Sequence, residues 1–171
     1  IARATIDKGL MVVLTGNGKG KSSSAFGMLA RSVGHGLRSG VVQFIKGTWD
    51  CGEQKLFQHH KLVDFFVMAT GFTWETQDRE ADIEAAESTW QHAAALLSDP
   101  DVDVVILDEL TYMLTYGYLD KEMVLQAIES RPPAQHVVVT GRNASTELIE
   151  MADTVSEVGE TKHAFYEGVK V

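Results

Sequence analysis

Leu10-Met11-Val12-Val13-Leu14-Thr15 runs without a break into Gly16-Asn17-Gly18-Lys19-Gly20-Lys21-Ser22-Ser23. An apolar, β-branched run, then a glycine-rich turn, then a helical pattern is the order a phosphate-binding loop requires. Glycines let backbone N–H groups converge on an anion without Cβ clashes, and the following helix N-terminus adds partial positive charge. Lys21 would supply a point charge for phosphate oxygens, and the Ser22 hydroxyl is placed to hold Mg²⁺. The run departs from G-x-x-x-x-G-K-[ST] at one position. With Gly20-Lys21-Ser22 as its end, its first residue is Thr15 and not glycine. The plainer reading is an ordinary glycine-rich turn of an α/β domain; the strand before and the Gly-Lys-Ser after weigh against it.

At 171 residues the chain has the size of one domain, enough to build a core around a central sheet. The net charge of −9 disfavours a nucleic-acid backbone as partner, since that usually demands a basic face. A local cationic pocket is compatible with it, because Lys19 and Lys21 sit together. No apolar run approaches the roughly 20 residues of a membrane helix, so no membrane partner is expected. The single Cys51 excludes an internal disulfide and fits a reducing, cytoplasmic compartment. The start shows neither the basic-then-apolar order of a signal peptide nor a methionine, which points to a trimmed or processed chain.

Ile1 to Lys8 reads as an arm or edge segment. Strand one is Leu10 to Thr15, and its unbroken apolar character suggests burial on both faces. Ser23 to Val33 reads as a helix with Phe26, Leu29, Ala30 and Val33 on one face, ended by Gly34 and Gly36. Val41 to Ile45 is strand two, and the succession forms a right-handed βαβ unit of a parallel sheet. Lys46 to Glu53 is a loop, Leu62 to Met68 a strand, and Ala69 to Gln77 a second loop. Ile83, Ala86, Trp90, Ala93 and Leu97 step by three and four along the clearest helix, with Glu80, Glu84 and Glu87 on its solvated side. Val102 to Leu107 is a buried strand, Lys121 to Ser130 a helix stopped by Pro132-Pro133, and His136 to Thr140 a strand. Ser145 to Met151 is a short helix, and Thr154 to Val158 a last parallel strand.

Val104-Val105-Ile106-Leu107-Asp108-Glu109 places two acids at the C-terminal end of a hydrophobic strand. In doubly wound sheets ligands sit beyond the carboxyl ends of the strands, which is also where the loop after strand one lies. A carboxylate there, Asp108 or Glu109, can bind Mg²⁺ directly or through water while the metal bridges phosphate oxygens. A GTPase fits poorly, for want of an Asn/Thr-Lys-x-Asp element. A small-molecule kinase would show an Arg-rich lid, and only Arg131 and Arg142 lie in the C-terminal half.

Several further stretches point the same way. They are Val41-Val42-Gln43-Phe44-Ile45-Lys46-Gly47, Met68-Ala69-Thr70-Gly71-Phe72-Thr73-Trp74-Glu75-Thr76, Leu107-Asp108-Glu109-Leu110-Thr111-Tyr112 and Thr140-Gly141-Arg142. Ala152-Asp153-Thr154-Val155-Ser156-Glu157 and Lys162-His163-Ala164-Phe165 complete the set. Together with the glycine loop they resemble the bacterial ATP:corrinoid adenosyltransferases, a family with a RecA-like P-loop fold. The resemblance implies that the cobalt of cob(I)alamin attacks C5′ of ATP, giving adenosylcobalamin and triphosphate. It implies ATP bound with its phosphates reversed relative to other P-loop proteins, which suits the missing first glycine. Residues 16–23 and Arg142 would then hold ATP, with Lys19, Lys21 and Glu109 as catalytic groups. Ser22, Glu109 and Asp108 are the candidate ligands for Mg²⁺, or Mn²⁺ in its place. A reduced corrinoid is the second substrate, a flavoprotein the reductant, and a homodimer the assembly. Family members carry an N-terminal helix that covers the neighbour's corrinoid site; with only Ile1 to Lys8 before strand one, none is expected in this sequence.

Phe72 and Trp74, read from the residues alone, pin a loop to the core. The resemblance instead implies that they occupy the lower face of the corrin and displace its axial base, easing reduction of Co(II). Cys51, His59 and His60 lack zinc spacing. Arg142, after a strand, could reach a phosphate or ribose or form a surface ion pair, and Arg31 has a weaker claim to the same role. The expected architecture is α/β, a mostly parallel sheet with helices on both faces. The competing class is a RecA-like ATPase or switch hydrolysing ATP to ADP, and a corrinoid carrier with structural ATP is a third. The phosphate product separates them.

Overall fold

The computed structural model describes residues 4–45, 51–68 and 79–170. Six strands form one sheet in the order β3-β2-β4-β5-β1-β6, where β1 is Met11–Thr15, β2 Ser39–Gln43, β3 Val63–Val67, β4 Val104–Asp108, β5 His136–Thr140 and β6 Thr154–Glu157. Every pairing is parallel. The helices are α1 (Lys21–Gly34), α2 (Gly52–Phe57), α3 (Arg79–Ser98), α4 (Leu110–Thr115), α5 (Lys121–Glu129) and α6 (Thr146–Met151), with a 3-10 turn at Ala164–Glu167. Among the described residues no helix is long and apolar enough to cross a membrane.

Strand alternation splits the core into two layers. Leu14, Val41, Val104, Ile106 and Val138 meet Ala25, Phe26 and Leu29 of α1 and Phe57 of α2. Met11, Val13, Val42, Val105, Leu107, Val137 and Val139 face the opposite layer, where α3, α4, α5 and α6 bring Trp90, Leu97, Met113, Val124, Ile128 and Leu148. Helices therefore cover both faces, as continuous apolar strands demand.

Three local expectations shift. The buried stripe of α1 is Lys21, Ala25 and Leu29 with Phe26 beside it, while Ala30 is exposed. A lysine opens this i, i+4, i+8 stripe, which an apolar-only pattern passes over. β2 lies two residues earlier than its apolar run, because Ser39 and Gly40 are laddered on both sides by Val63 and Asp64 of β3 and by Val104 and Val105 of β4. Position in the sheet overrides their weak strand propensity. Finally, α2 begins inside the expected loop, while residues 46–50 and 69–78 lie outside the described residues.

Candidate active site

β1 delivers the chain to the glycine loop at the C-terminal edge of the sheet. The loop is braced on the segment that follows β6: the Val158 amide donates to the Thr15 carbonyl at 2.8 Å, and the Gly18 amide donates to the Val158 carbonyl at 2.7 Å. A Cβ at Gly16 or Gly18 would collide with the backbone of Val158 and Gly159, so the close approach requires glycine at both. Gly20 is the residue before α1 and sits at φ 117, with nothing within 4 Å of where its Cβ would be. Backbone amides of the first turn of α1 are thus approachable, and no acidic side chain lies in that turn to oppose their positive end. Lys21 is buried, and its Nζ donates to the Gly18 carbonyl at 2.7 Å across the loop. Lys19 is exposed, Ser22 half-buried and Ser23 exposed on the same rim.

The acid-bearing strand β4 lies one strand away, separated from β1 by β5. Its two carboxylates have different surroundings. Asp108 is 3% exposed and engaged at both oxygens: Gln43 Nε2 donates to Oδ2 at 3.0 Å, and the Thr140 hydroxyl donates to Oδ1 at 2.7 Å. Glu109 takes the left-handed conformation at φ 60, ψ 25, where the chain turns from β4 into α4. Its Oε2 is buried with no hydrogen-bond partner among the described residues. Burial, then the neighbouring Asp108 charge, push its carboxyl up to about 7, against the pull of Lys21 and Arg142. Burial also holds the Lys21 ammonium below its ordinary value, with Glu109 the main opposing influence.

Arg142 follows β5 and is exposed. It lines a cleft of about 490 Å³ with Asn17, Glu157, Gly159, Glu160 and Tyr166. A hydrogen bond to Glu160 raises the Tyr166 phenol above its ordinary value. Beside Glu109, Tyr112 stacks on Tyr116 with ring centroids 6.0 Å apart, and the Arg79 guanidinium lies over the Tyr118 ring. The assembled edge offers an amide-lined loop, two lysines, an arginine and one under-partnered carboxylate, which is the donor set of a polyanion site. The orphaned, buried Oε2 of Glu109 would suit a divalent cation held together with a phosphate ligand rather than in an all-protein cage. Among the described residues no group of three His, Cys, Asp or Glu could form such a cage.

The family model described as "ATP:corrinoid adenosyltransferase BtuR/CobO/CobP" matches residues 7–171. The chain belongs to the ATP:corrinoid adenosyltransferase family. It is similar to the corrinoid adenosyltransferase CobA of Salmonella typhimurium, 55% identical over 170 residues that cover 99% of this chain and 86% of that protein. The corrinoid adenosyltransferase of Escherichia coli strain K12 is 54% identical over 170 residues, with the same coverage. That of Pseudomonas aeruginosa is 56% identical over 171 residues, 99% of this chain and 84% of the relative.

Of the residues picked out in the sequence, the fold gathers Gly16, Asn17, Gly18, Lys19, Gly20, Lys21, Ser22, Ser23, Asp108, Glu109 and Arg142 at one sheet edge. Phe72 and Trp74, expected from the resemblance at the lower corrin face, lie outside the described residues. Arg31 is excluded from the site: three turns along α1, it lines an apolar groove with Leu10, Leu37 and His136 at the opposite end of the strands. His163, in a family motif without a role, caps the 3-10 turn, its Nδ1 accepting from the Phe165 amide at 3.1 Å. Gln43 and Thr140, quoted only within longer stretches of the sequence, turn out to be the side chains that hold Asp108. Their signal was present, a polar side chain at the end of each strand flanking β4, but it becomes readable only once the strand order is known.

Proposed function

We propose that this chain transfers the 5′-deoxyadenosyl group of ATP to the Co(I) of a reduced corrinoid, releasing triphosphate. The observation that carries the reading is the family match along nearly the whole chain, with the loop, Lys21 and Glu109 assembled at the sheet edge. The cobalt electron pair forms the new bond to C5′, the C5′–O bond breaks, and its electrons leave on the triphosphate. Charge therefore grows on the triphosphate, where Lys21, Lys19 and backbone amides of the loop would stabilise it electrostatically. Arg142 is suited to a phosphate or ribose oxygen. Ser22 and Glu109 would hold Mg²⁺, or Mn²⁺ in its place, which when bound would neutralise phosphate charge. Phe72 and Trp74 are assigned to the lower corrin face, where excluding an axial base favours reduction. A flavoprotein reductant, a homodimer and a cytoplasmic setting complete the reading; the single cysteine supports the last.

With ATP, Mg²⁺ and reduced corrinoid, a light-sensitive cobalt–carbon product and triphosphate should appear in equal amounts, and ATP alone should stay intact. ADP and phosphate formed equally with or without corrinoid would replace this reading with the ATPase one. Phe72→Ala and Trp74→Ala should lose little activity from pre-reduced Co(I) and most of it from Co(II) with a protein reductant. Equal losses from both starting states would assign these aromatics to the fold alone.

A further inference from the structure

Gln43, Asp108 and Thr140 end three neighbouring strands at one level of the sheet. Gln43 is the register partner of Asp108, and Leu107 that of Val139, which brings Thr140 alongside Asp108. Alternation places all three on the face covered by α1, the one that Val41, Ile106 and Val138 help to line. They are 8%, 3% and 0% exposed, so each hydrogen bond among them is shielded from water. The Thr140 hydroxyl has a single proton and donates it to Asp108 Oδ1. That leaves the hydroxyl's lone pairs for the amide of Glu109, which donates to Thr140 Oγ1 at 3.0 Å. Glu109 is one of two described non-glycine residues with positive φ, a conformation strained for a residue with a Cβ. Its backbone is tied down at the point of that strain.

We propose that Thr140 and Gln43 are positioning residues for Glu109. Gln43 and Thr140 engage the two oxygens of Asp108, and the oriented hydroxyl of Thr140 holds the Glu109 amide in the left-handed turn. Asp108 thereby serves as the anchor of the turn, while Glu109 presents its free carboxylate oxygen to the loop. Valine at 140 keeps the branched shape and removes both hydrogen bonds. Serine keeps the hydroxyl.

The inference rests on the reading that Glu109 serves a metal-bound triphosphate, and calorimetric ATP binding with Mg²⁺ and with EDTA separates the two. In Thr140→Val the gain in ATP affinity on adding Mg²⁺ should fall by about tenfold or more, the usual effect of losing a group that orients a metal ligand. Affinity in EDTA should be unchanged, and Thr140→Ser should keep the parental gain. Gln43→Met, which removes the donor on the other oxygen of Asp108, should also reduce the gain. Should Thr140→Val fail to fold, Thr140→Ser and Gln43→Met decide: a parental gain in the first and a reduced gain in the second support the proposal. A parental gain in Thr140→Val or in Gln43→Met, a Thr140→Val loss equal in EDTA and Mg²⁺, or a serine variant no better than valine overturns it. Parental protein with no Mg²⁺-dependent gain would defeat the metal reading itself, and the positioning role with it.

Discussion

Glu109 and Lys21 attract each other across the site without a hydrogen bond between them, and each charge is incompletely compensated. Burial acts first on both, raising the carboxyl to about 7 and lowering the ammonium, and their mutual attraction only partly offsets it. Such a pair gains when a polyanion and a cation arrive to match it. It also makes the protein's stability depend on pH. The folded carboxyl binds its proton more tightly than the unfolded one, whose ordinary value is 4.5. The folded state therefore holds the extra proton between pH 4.5 and about 7, and stability falls as pH rises through that window. A shift of this size corresponds to at most about 3 kcal/mol. Glu109→Gln keeps the shape and removes the charge. In urea titrations without nucleotide it should be more stable than the parent at pH 8 and match it at pH 4. A constant difference at both pH values would mean the carboxyl is not held up by its surroundings. The same variant should show little Mg²⁺-dependent gain in ATP affinity.

Among the elements, the glycine loop depends most on a neighbour distant in sequence. Its shape is held by the Val158–Gly159 backbone after β6, through the bonds between Gly18 and Val158 and between Val158 and Thr15. Gly18→Ala should push the loop off that support, at a cost of about 1–3 kcal/mol typical of an overfilled site. Thermal unfolding should fall and ATP affinity with it; parental values for both would show the loop can open without loss. The long helices and the strands were legible in the sequence because periodicity and terminators are local. The Asp120 and Ser145 side chains that cap α5 and α6 accept from Met123 and Leu148 as such residues commonly do. By contrast, α2 and α4 have six residues each, too few for a 3.6-residue period to declare itself, and lack the side-chain cap that marks the equally short α6. The left-handed Glu109 that precedes α4 is an anti-signal in sequence, since glycine or asparagine is the usual occupant of that conformation.

At the scale of the whole molecule the two ends of the sheet do different work. The N-terminal ends of the strands are locked by buried polar side chains. Gln135 is 2% exposed, and its amide donates to the carbonyls of Leu96, Asp99 and Val102 at 3.0–3.1 Å, tying the end of α3 to the start of β5. Arg131 donates to the carbonyls of Ile128 and Gln135, and Asp153 accepts from the Met11 amide at 2.9 Å. Gln135→Ala leaves three carbonyls short of a donor beside a cavity and should cost about 3 kcal/mol by urea unfolding, with ATP affinity kept. A parallel loss of affinity in the folded variant would show the two ends to be coupled. At the other end lies the chemistry, and there the division between sequence and structure is clearest. The glycine loop, its lysines, the acid-bearing strand and the family were determined by the sequence alone, because each is a contiguous run whose chemistry follows from the order of its residues. Tertiary structure alone decided that β4 lies between β2 and β5, and hence that Thr140 and Gln43, 32 and 65 positions away, engage Asp108 and leave Glu109 free. Two adjacent acids are equivalent in a sequence. They become different only when neighbouring strands supply hydrogen-bond donors to one and burial without a partner to the other.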